Sequence, residues 1–361
     1  MIEPRSEGEL AEAIRGANGP LSVRGGNTRG MAGEGEALSV AGLTGITLYE
    51  PGALTLVARA GTPLAEVEAA LAAEGQALAF EPMDHRGLLG TTGEPTIGGV
   101  VASGASGPRA VQGGRCRDYV LGARFVTGEG TVVKSGGRVM KNVTGLDLAR
   151  LMCGARGTLG VLTEVSLKVL PRPAASATLA LEGLDAARAV AAMADALGSP
   201  FEVTGAAWTE GRTLLRIEGL EGSVAYRAER LAERLARFGS TAVERETAAN
   251  AATWAGVRDA APFHGTGDDV WRVAVKPSDA PAAVEALGGE ALIDWGGGLV
   301  WVAVPKGTDL RARLTMPGFA TLVRGEGTVT HPRPAAVAAL EDGLRAKFDP
   351  RGVLNPGAMA A

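Results

Sequence analysis

The stretch EPTIGGVVASGASGPRAVQGGRCRDYVLG, residues 94–122, is rich in glycine and contains no lysine. It holds neither the GxGxxG pattern of Rossmann folds nor the GxxxxGK[ST] pattern of P-loops. Glycine loses more conformational entropy on folding than any other residue, so a dense run is favoured where something approaches the backbone closely. We therefore expect a binding cleft at this stretch.

Two further segments share this character. VRGGNT, residues 23–28, follows a predicted strand and would expose consecutive backbone N–H groups, which suit phosphate oxygens; an ordinary glycine turn is the alternative. GARGTLGVLTEV, residues 154–165, is a glycine-punctuated loop that enters a strand. Three such segments in the first half of the chain indicate one extended ligand, and a diphosphate-containing dinucleotide has the required length.

The composition limits the possible partners and the compartment. A length of 361 residues allows two or three domains, and a formal charge of −4 argues against nucleic acid as the main partner. No apolar run approaches the ~20 residues that a spanning helix needs, and the charged amino terminus shows no signal peptide. Cys116 and Cys153 lack CxxC spacing, so we expect buried spectator thiols in a cytoplasmic protein.

Periodicity and capping signals predict an α+β fold in three parts. In residues 1–173, Ser6 and Glu9 form a capping box, Thr62 is the expected cap of a second helix, and Thr144 with Asp147 are the expected caps of a third. Residues 174–325 repeat the order β-α-β-β-α-β, which predicts an antiparallel sheet with helices on a face. Two unrelated α+β segments are the alternative reading of this region.

The tail, residues 326–361, is predicted to be a helix followed by an ordered turn, FDPRGVLNPG (348–357). A free tail does not normally end in such a packed pattern. We therefore expect the tail to return to the first domain.

Together these motifs resemble a known family. VRGGNT, TIGGVVASGASGPR, GGRVMKNVTGLDLARLMCGARGTLGVLTEVSLKVLP and FDPRGVLNPG are similar to the vanillyl-alcohol-oxidase-type (PCMH-type) FAD-binding family, and within it to the E subunits of bacterial glycolate oxidases. The likeness covers residues 1–173 and the tail. It implies a two-part FAD-binding domain with a cap domain of ferredoxin-like repeats.

The resemblance also implies which residues contact FAD. Those expected to hold the pyrophosphate are Arg24, Gly25, Gly26, Asn27 and Thr28. Those expected in the opposite wall are Pro95, Thr96, Gly98, Gly99, Ser103 and Gly107. Those expected beside the adenosine half or the isoalloxazine edge are Gly157, Gly160 and Val161, with Asn355 closing the site from the substrate side. Asn142 also lies in a motif loop, where an amide favours hydrogen bonding.

Two departures from the family indicate how the flavin is held. Covalent members attach FAD through a histidine after the RxGG run or a cysteine just before the P-T-[IV]-G run. Asn27 and Glu94 occupy these positions here, and neither can form that bond. The resemblance therefore implies non-covalent FAD.

Residues for independent catalysis are hard to find. The three histidines, His85, His264 and His331, share no spacing typical of a metal site, so we predict no metal and assign no catalytic residue. Arg258, Arg324 and Trp208 are the candidates for a residual substrate pocket, with packing or ion pairing as the alternative.

The resemblance then implies a subunit that works beside a catalytic flavoprotein subunit and an iron–sulfur subunit. The substrate would be glycolate or a related 2-hydroxy acid, and the complex could sit peripherally at the inner membrane through its partners. A self-sufficient FAD-dependent dehydrogenase or oxidase and a non-catalytic assembly protein of the same fold remain as alternatives.

Overall fold

The structure, a computed structural model, describes residues 1–30, 33–139 and 145–359. The chain forms two compact units. The first comprises Met1–Ala105, Arg115–Pro171 and Pro332–Ala361, and the second Ser106–Gly114 and Arg172–His331. The domain boundaries predicted after residues 173 and 325 stay a prediction, and no sequence pattern indicates the short segment 106–114.

The helices and strands have the following bounds. The helices are α1 Glu7–Gly16, α2 Leu64–Ala73, α3 Arg86–Leu89, α4 Ile97–Ser103, α5 Ala110–Gly113, α6 Cys116–Tyr119, α7 Leu148–Met152, α8 Ala186–Leu197, α9 Glu221–Leu235, α10 Thr247–Arg258, α11 Ala280–Leu287, α12 Leu310–Arg313 and α13 Ala335–Phe348. The strands are β1 Leu21–Arg24, β2 Glu36–Ser39, β3 Ile46–Glu50, β4 Thr55–Arg59, β5 Gln76–Ala77, β6 Val120–Val126, β7 Val132–Gly136, β8 Val161–Lys168, β9 Leu170–Pro171, β10 Ala175–Glu182, β11 Val203–Thr209, β12 Arg212–Gly219, β13 Thr241–Glu244, β14 Asp269–Val275, β15 Glu290–Asp294, β16 Leu299–Val304 and β17 Gly318–Arg324.

Local capping explains where the first-unit helices begin. The Ser6 hydroxyl accepts a hydrogen bond from Glu9 N at 3.2 Å, which confirms the predicted start of α1. The prediction that Thr62 caps α2 is wrong, because its hydroxyl donates to the Arg59 carbonyl at 2.7 Å and α2 starts after Pro63. Asp147 caps α7 through Arg150 N at 3.1 Å, and Thr144 lies outside the described residues.

The first unit contains two sheets that carry the site. Strands β1 and β2 pair in parallel, whereas β3-β4-β8-β6-β7 form an antiparallel sheet in that order. The sequence YVLGARFVTGEGTVV, residues 119–133, predicts two strands around a glycine-containing hairpin, and strands β6 and β7 form it, with Val126 paired to Val132. One core contains Phe80 and Phe125, and another contains Ile14 and Leu354. The second core therefore includes Leu354 of the tail.

The second unit is built on one eight-stranded antiparallel sheet, in the order β13-β10-β12-β11-β15-β16-β14-β17. Each half has the ferredoxin-like order, and the halves join edge to edge where Trp208 of β11 pairs with Ile293 of β15. Alternate strand residues pack with α8, α9 and α11 in one core. The predicted repeat is confirmed, whereas helix α10 was missed in the sequence.

Among the described residues, no helix combines the length and the apolar character that a bilayer crossing requires.

Candidate functional site

A groove in the first unit brings the three glycine-rich segments together. One half-enclosed pocket of about 60 Å³ is lined by Arg24, Gly98, Gly157 and Asn355 among others. A second pocket, of about 40 Å³, is lined by residues 23–29 together with Thr96 and Gly99. The pockets share Val23, Arg24, Gly25 and Gly99, so residues distant in sequence form one continuous wall.

The first wall is the turn after strand β1. Asn27 has a φ of 55°, a left-handed conformation that asparagine tolerates better than most residues. Residues 23–29 line one pocket together, and consecutive backbone N–H groups in such a turn can form an anion-binding nest. Gly26 is required for packing, because a Cβ there would lie 1.5 Å from the carbonyl oxygen of Glu94.

The second wall is helix α4 and the residue before it. The Thr96 hydroxyl caps α4 by accepting from Gly99 N at 3.2 Å, and it would lie 2.4 Å from a Cβ on Gly25. A Cβ on Gly98 would lie 2.6 Å from both Cβ and O of Ala60. These glycines therefore let the protein segments approach one another, and it is this close packing that exposes the backbone to the groove.

The third wall is the loop before strand β8. Arg156 and Gly157 have φ values of 51° and 74°, and Arg156 N donates to the Ala102 carbonyl at 2.9 Å. A Cβ on Gly160 would lie 2.6 Å from the Phe125 ring. The loop is thereby held against both α4 and the sheet.

Asn355 from the tail fastens the first and third walls. Its side-chain Oδ1 accepts from Val23 N at 2.6 Å, and its Nδ2 donates to the Arg156 carbonyl at 2.8 Å. The residue is buried, with a φ of 44°. Its amide thus satisfies one donor and one acceptor that belong to different segments of the groove.

Three arginines make the groove electrostatically positive. Arg24, Arg29 and Arg156 all line one pocket or the other. Arg29 is buried, and its Nη1 donates to the Met83 carbonyl at 3.1 Å and contacts His85 Nδ1 at 2.9 Å. Burial lowers the pKa of Arg156, but a guanidinium stays protonated in proteins. Three cations at one groove favour an anionic ligand.

His85 accepts a hydrogen bond from the guanidinium of Arg29. Burial first, and then the positive charge of Arg29, lower the pKa of His85 to about 3. The imidazole is therefore neutral at physiological pH, and its Nδ1 lone pair is available to the guanidinium. Neither residue was expected at the site from sequence; the arginine directly after RGGNT was the signal that could have indicated Arg29.

The similarities to known proteins agree with this groove. The FAD binding domain family matches residues 1–136. Over 350 residues the chain is 39% identical to the glycolate oxidase subunit GlcE of Escherichia coli (strain K12), a match that spans 95% of this chain and 93% of that protein. The chain belongs to the glycolate oxidase subunit GlcE family. This match confirms the prediction that the chain is an FAD-binding subunit of the glycolate oxidase type and an FAD-dependent oxidoreductase.

Other proteins are similar to this chain over a smaller part of their own length, or, at low sequence identity, in their fold alone. The glycolate oxidase subunit GlcD of Bacillus subtilis (strain 168) is 42% identical over 94 residues, which are 26% of this chain and 20% of that protein. The D-lactate dehydrogenase of Archaeoglobus fulgidus is 30% identical over 181 residues, 48% of this chain and 39% of that protein. The structure of an alkyldihydroxyacetonephosphate synthase matches with a TM-score of 0.70 at 15% identity, covering 98% of this chain and 76% of that one. The predicted fold class is confirmed.

The groove of this GlcE-family chain has a lining whose chemistry suits FAD. The pocket of residues 23–29 offers backbone N–H groups and arginines, which suit a diphosphate. The larger pocket adds the apolar side chains of Val40, Ala60, Met152 and Leu162, which suit part of a ring system. When bound, FAD supplies two-electron redox chemistry. The chain's own residues would bind and orient it.

Most residues implied by the family resemblance come together in this groove. Those that line the two pockets are Arg24, Gly25, Gly26, Asn27, Thr28, Thr96, Gly98, Gly99, Gly157, Gly160, Val161 and Asn355. Their contact with FAD stays a prediction.

Pro95, Ser103 and Gly107 are not among the described lining residues of the two pockets, and their contact with FAD also stays a prediction. The Pro95 carbonyl accepts from Leu64 N at 2.7 Å, and the Ser103 hydroxyl donates to the Val100 carbonyl at 2.9 Å. Gly107 belongs to the second unit, where its carbonyl accepts from Trp295 Nε1 at 3.0 Å. Asn142 lies outside the described residues.

The candidates for a substrate pocket in the second unit are engaged with neighbours. Arg258 forms an ion pair with Asp259 at 2.7 Å, and Trp208 Nε1 donates to the Leu184 carbonyl at 2.8 Å. Arg324 donates to the carbonyls of Asp268 and Phe263 at 3.0 and 2.9 Å. These contacts match the alternative of packing and ion pairing.

The other two histidines have structural contacts. His264 Nε2 contacts the Asp259 carbonyl at 2.8 Å, and His331 Nδ1 accepts from Ala320 N at 3.4 Å. Within residues 1–30, 33–139 and 145–359, no three His, Cys, Asp or Glu side chains are grouped as a metal site requires.

Proposed function

We propose that this chain holds FAD non-covalently in the groove of its first unit, as a subunit of a complex that oxidises glycolate or a related 2-hydroxy acid. The observation that carries the proposal is the convergence of three glycine-rich segments and three arginines on one groove, in a chain of the GlcE family. The catalytic flavoprotein of that complex would be a GlcD-type subunit, and an iron–sulfur subunit would accept electrons.

The chemistry of the groove supports a non-covalent flavin. The known covalent attachments need a nucleophile, and the described lining of both pockets contains no histidine, cysteine or tyrosine. Asn27 is an amide, and Glu94 places its carbonyl against Gly26. The FAD would therefore be retained by hydrogen bonds, ion pairs and packing.

The need for a partner is supported by how the candidate catalytic groups are engaged. His85 accepts from Arg29, and its pKa of about 3 makes it a poor base near neutral pH. Arg258 and Arg324 form contacts within the second unit. We propose that a partner supplies the base and the substrate anchor. A cytoplasmic location, peripheral at the inner membrane through partners, stays a prediction.

The test is reconstitution followed by anaerobic reduction. The purified chain is incubated with excess FAD, desalted and precipitated with acid, and the absorbance of the supernatant reports the flavin. We expect stoichiometric flavin, released by acid. The holoprotein is then mixed with glycolate in the absence of oxygen. One sample contains the holoprotein alone, and the other also contains a GlcD-type flavoprotein whose own reaction with glycolate has been measured.

Each outcome separates the alternatives. Flavin that bleaches only when the partner is present supports the proposal, and bleaching of the isolated chain indicates a self-sufficient enzyme. A chain that takes up no FAD would indicate an assembly protein. Co-purification from the native source, with flavin and iron analysis, should recover a larger flavoprotein and an iron–sulfur protein; a lone, active chain would contradict the proposal.

A further inference from the structure

The two cysteines of the chain are neighbours in the first unit. Cys116 opens helix α6 and is fully buried, whereas Cys153 directly follows α7 and is half-buried. Their side chains form a hydrogen bond to each other, although 36 residues separate them in the sequence. Cys116 is buried, as expected from the sequence, and the fold also places the two thiols close together, which the spacing of the cysteines does not indicate.

The two thiols differ in acidity. The hydrogen bond from Cys116, followed by the positive charge of Arg117, lowers the pKa of Cys153 despite its burial. The same hydrogen bond, together with burial, raises the pKa of Cys116 well above its usual value. Cys153 therefore loses its proton more readily than Cys116, and the thiolate is the nucleophilic form of cysteine.

Cys153 also has access to a pocket separate from the flavin groove. This pocket has a volume of about 240 Å³ and is lined by Cys153, Thr158, Leu159, Leu344 and Met359 among others. A small oxidant such as a hydroperoxide fits this volume easily. Cys116 is not among the lining residues that the structure describes, so Cys153 is the thiol of the pair that such a molecule would meet first.

We propose that Cys116 and Cys153 are a redox-active dithiol that closes to an intramolecular disulfide when a hydroperoxide enters the pocket beside Cys153. The Cys153 thiolate attacks the terminal peroxide oxygen, which breaks the O–O bond, releases water or an alcohol, and leaves a sulfenic acid. Cys116 then gives up its proton and displaces hydroxide from Cys153, forming the S–S bond and a second molecule of water. Two thiols are oxidised as one peroxide is reduced.

The pair lies behind one wall of the flavin groove. Gly154 N donates to the Val101 carbonyl at 3.0 Å, and Arg156 N donates to the Ala102 carbonyl at 2.9 Å. A disulfide would thus fasten helix α6 to the loop that contacts α4 and carries Arg156. This inference concerns the thiols alone, so it stands or falls independently of FAD binding.

The test uses the full chain, which contains no other cysteine. The protein is treated with a slight excess of hydrogen peroxide, denatured with a thiol-alkylating reagent, and analysed by intact mass and peptide mapping. We expect loss of two hydrogen atoms, no alkylation, a cross-linked pair of peptides, and recovery of both thiols with dithiothreitol. Two alkylated thiols, or a disulfide between two chains, would overturn the proposal.

Two variants assign the roles of the sulfurs. In Cys116→Ser, the sulfenic acid of Cys153 has no partner and should be trapped by dimedone. In Cys153→Ser, Cys116 should stay unmodified in the folded protein under the same treatment. Dimedone labelling of Cys116 instead of Cys153 would reverse the assigned roles and overturn the proposal. Because the buried Cys116→Ser change can destabilise the fold, the wild-type peptide map decides the outcome if that variant does not fold.

Discussion

Arg29 lies buried beside the nest of backbone amides, with its Nη1 shared between the Met83 carbonyl and His85. Since a charge-assisted hydrogen bond contributes about 1.5–3 kcal/mol, we expect Arg29→Gln to weaken FAD binding by about ten- to a hundredfold. Quenching of flavin fluorescence during titration of the apoprotein measures this change. Arg29→Lys, which retains the charge, should give an intermediate value.

Exposed Arg59 of β4 is the control for the loss of one positive charge. Arg59→Gln should leave flavin affinity near the wild-type value, and circular dichroism of both apoproteins should separate loss of binding from loss of folding. Equal affinities for the two variants would show that the Arg29 guanidinium does not reach the diphosphate.

A substitution at Gly26 tests why glycine is needed in the first wall of the groove. A Cβ at this position would lie 1.5 Å from the carbonyl oxygen of Glu94, so Gly26→Ala must displace backbone. Overpacking of this kind typically costs about 1–3 kcal/mol, and we expect a lower melting temperature for the apoprotein as well as weaker FAD binding. Gly16→Ala is the control, since a Cβ at Gly16 meets nothing within 4 Å. An unchanged apoprotein melting temperature would refute the packing explanation.

At the scale of elements, helix α1 is fastened to the antiparallel sheet by a carboxylate. Glu7 accepts from Arg124 of β6 and, at 2.6 Å, from Thr163 of β8. Burial raises the pKa of Glu7, but the hydrogen bonds from Arg124 and Thr163 outweigh it, so the folded-state pKa lies below the ordinary value of 4.5. The carboxylate therefore stabilises the fold above pH 4.5, and this stabilisation is lost as the pH falls through the lowered pKa.

The variant Glu7→Gln measures this contribution. At pH 7 we expect it to lower the free energy of unfolding by about 1 kcal/mol, as for partly exposed ion pairs. The difference from wild type should shrink as the pH falls below 4.5 and vanish in stronger acid. Urea unfolding at several pH values is the measurement, with exposed Glu3→Gln as the control. A difference that grows towards acid would contradict the assigned direction of the pKa shift.

At the scale of the whole molecule, the distribution of tryptophan gives a separate signal for each unit. All five tryptophans, at positions 208, 254, 271, 295 and 301, belong to the second unit, whereas the groove belongs to the first. A ligand that binds only the native state stabilises it by about 2.7 kcal/mol at a hundred times its Kd. We expect a large excess of FAD to raise the melting temperature reported by bound flavin above its value at stoichiometric FAD.

Tryptophan emission provides the comparison within the same sample. The melting temperature reported by tryptophan should rise less on addition of FAD than the one reported by flavin, because FAD stabilises the first unit. Adenosine monophosphate, which lacks the flavin half and gives no flavin signal, should shift the tryptophan transition less than FAD does. A larger shift of the tryptophan transition would place the ligand in the second unit and contradict the assigned groove.

Local sequence patterns were sufficient for several parts of the fold. The Ser6 and Glu9 pair marks the start of α1, the valine-rich hairpin marks β6 and β7, and the repeated element order indicates the eight-stranded sheet. These features depend on neighbours close in the chain, so propensity, capping and periodicity suffice to reveal them. Thr62 was assigned wrongly because its hydroxyl bonds with Arg59 and Gly45, which local capping rules do not consider.

Three glycine-rich segments are visible in the sequence alone, and they predict a groove for a dinucleotide. The packing of the fold decides which groups meet there: Gly26 packs against Glu94, Asn355 joins Val23 to Arg156, and His85 accepts a hydrogen bond from Arg29. It also decided that Cys116 and Cys153 are partners. The physical reason is that such contacts link residues far apart in the chain, and their geometry is set by how whole elements pack.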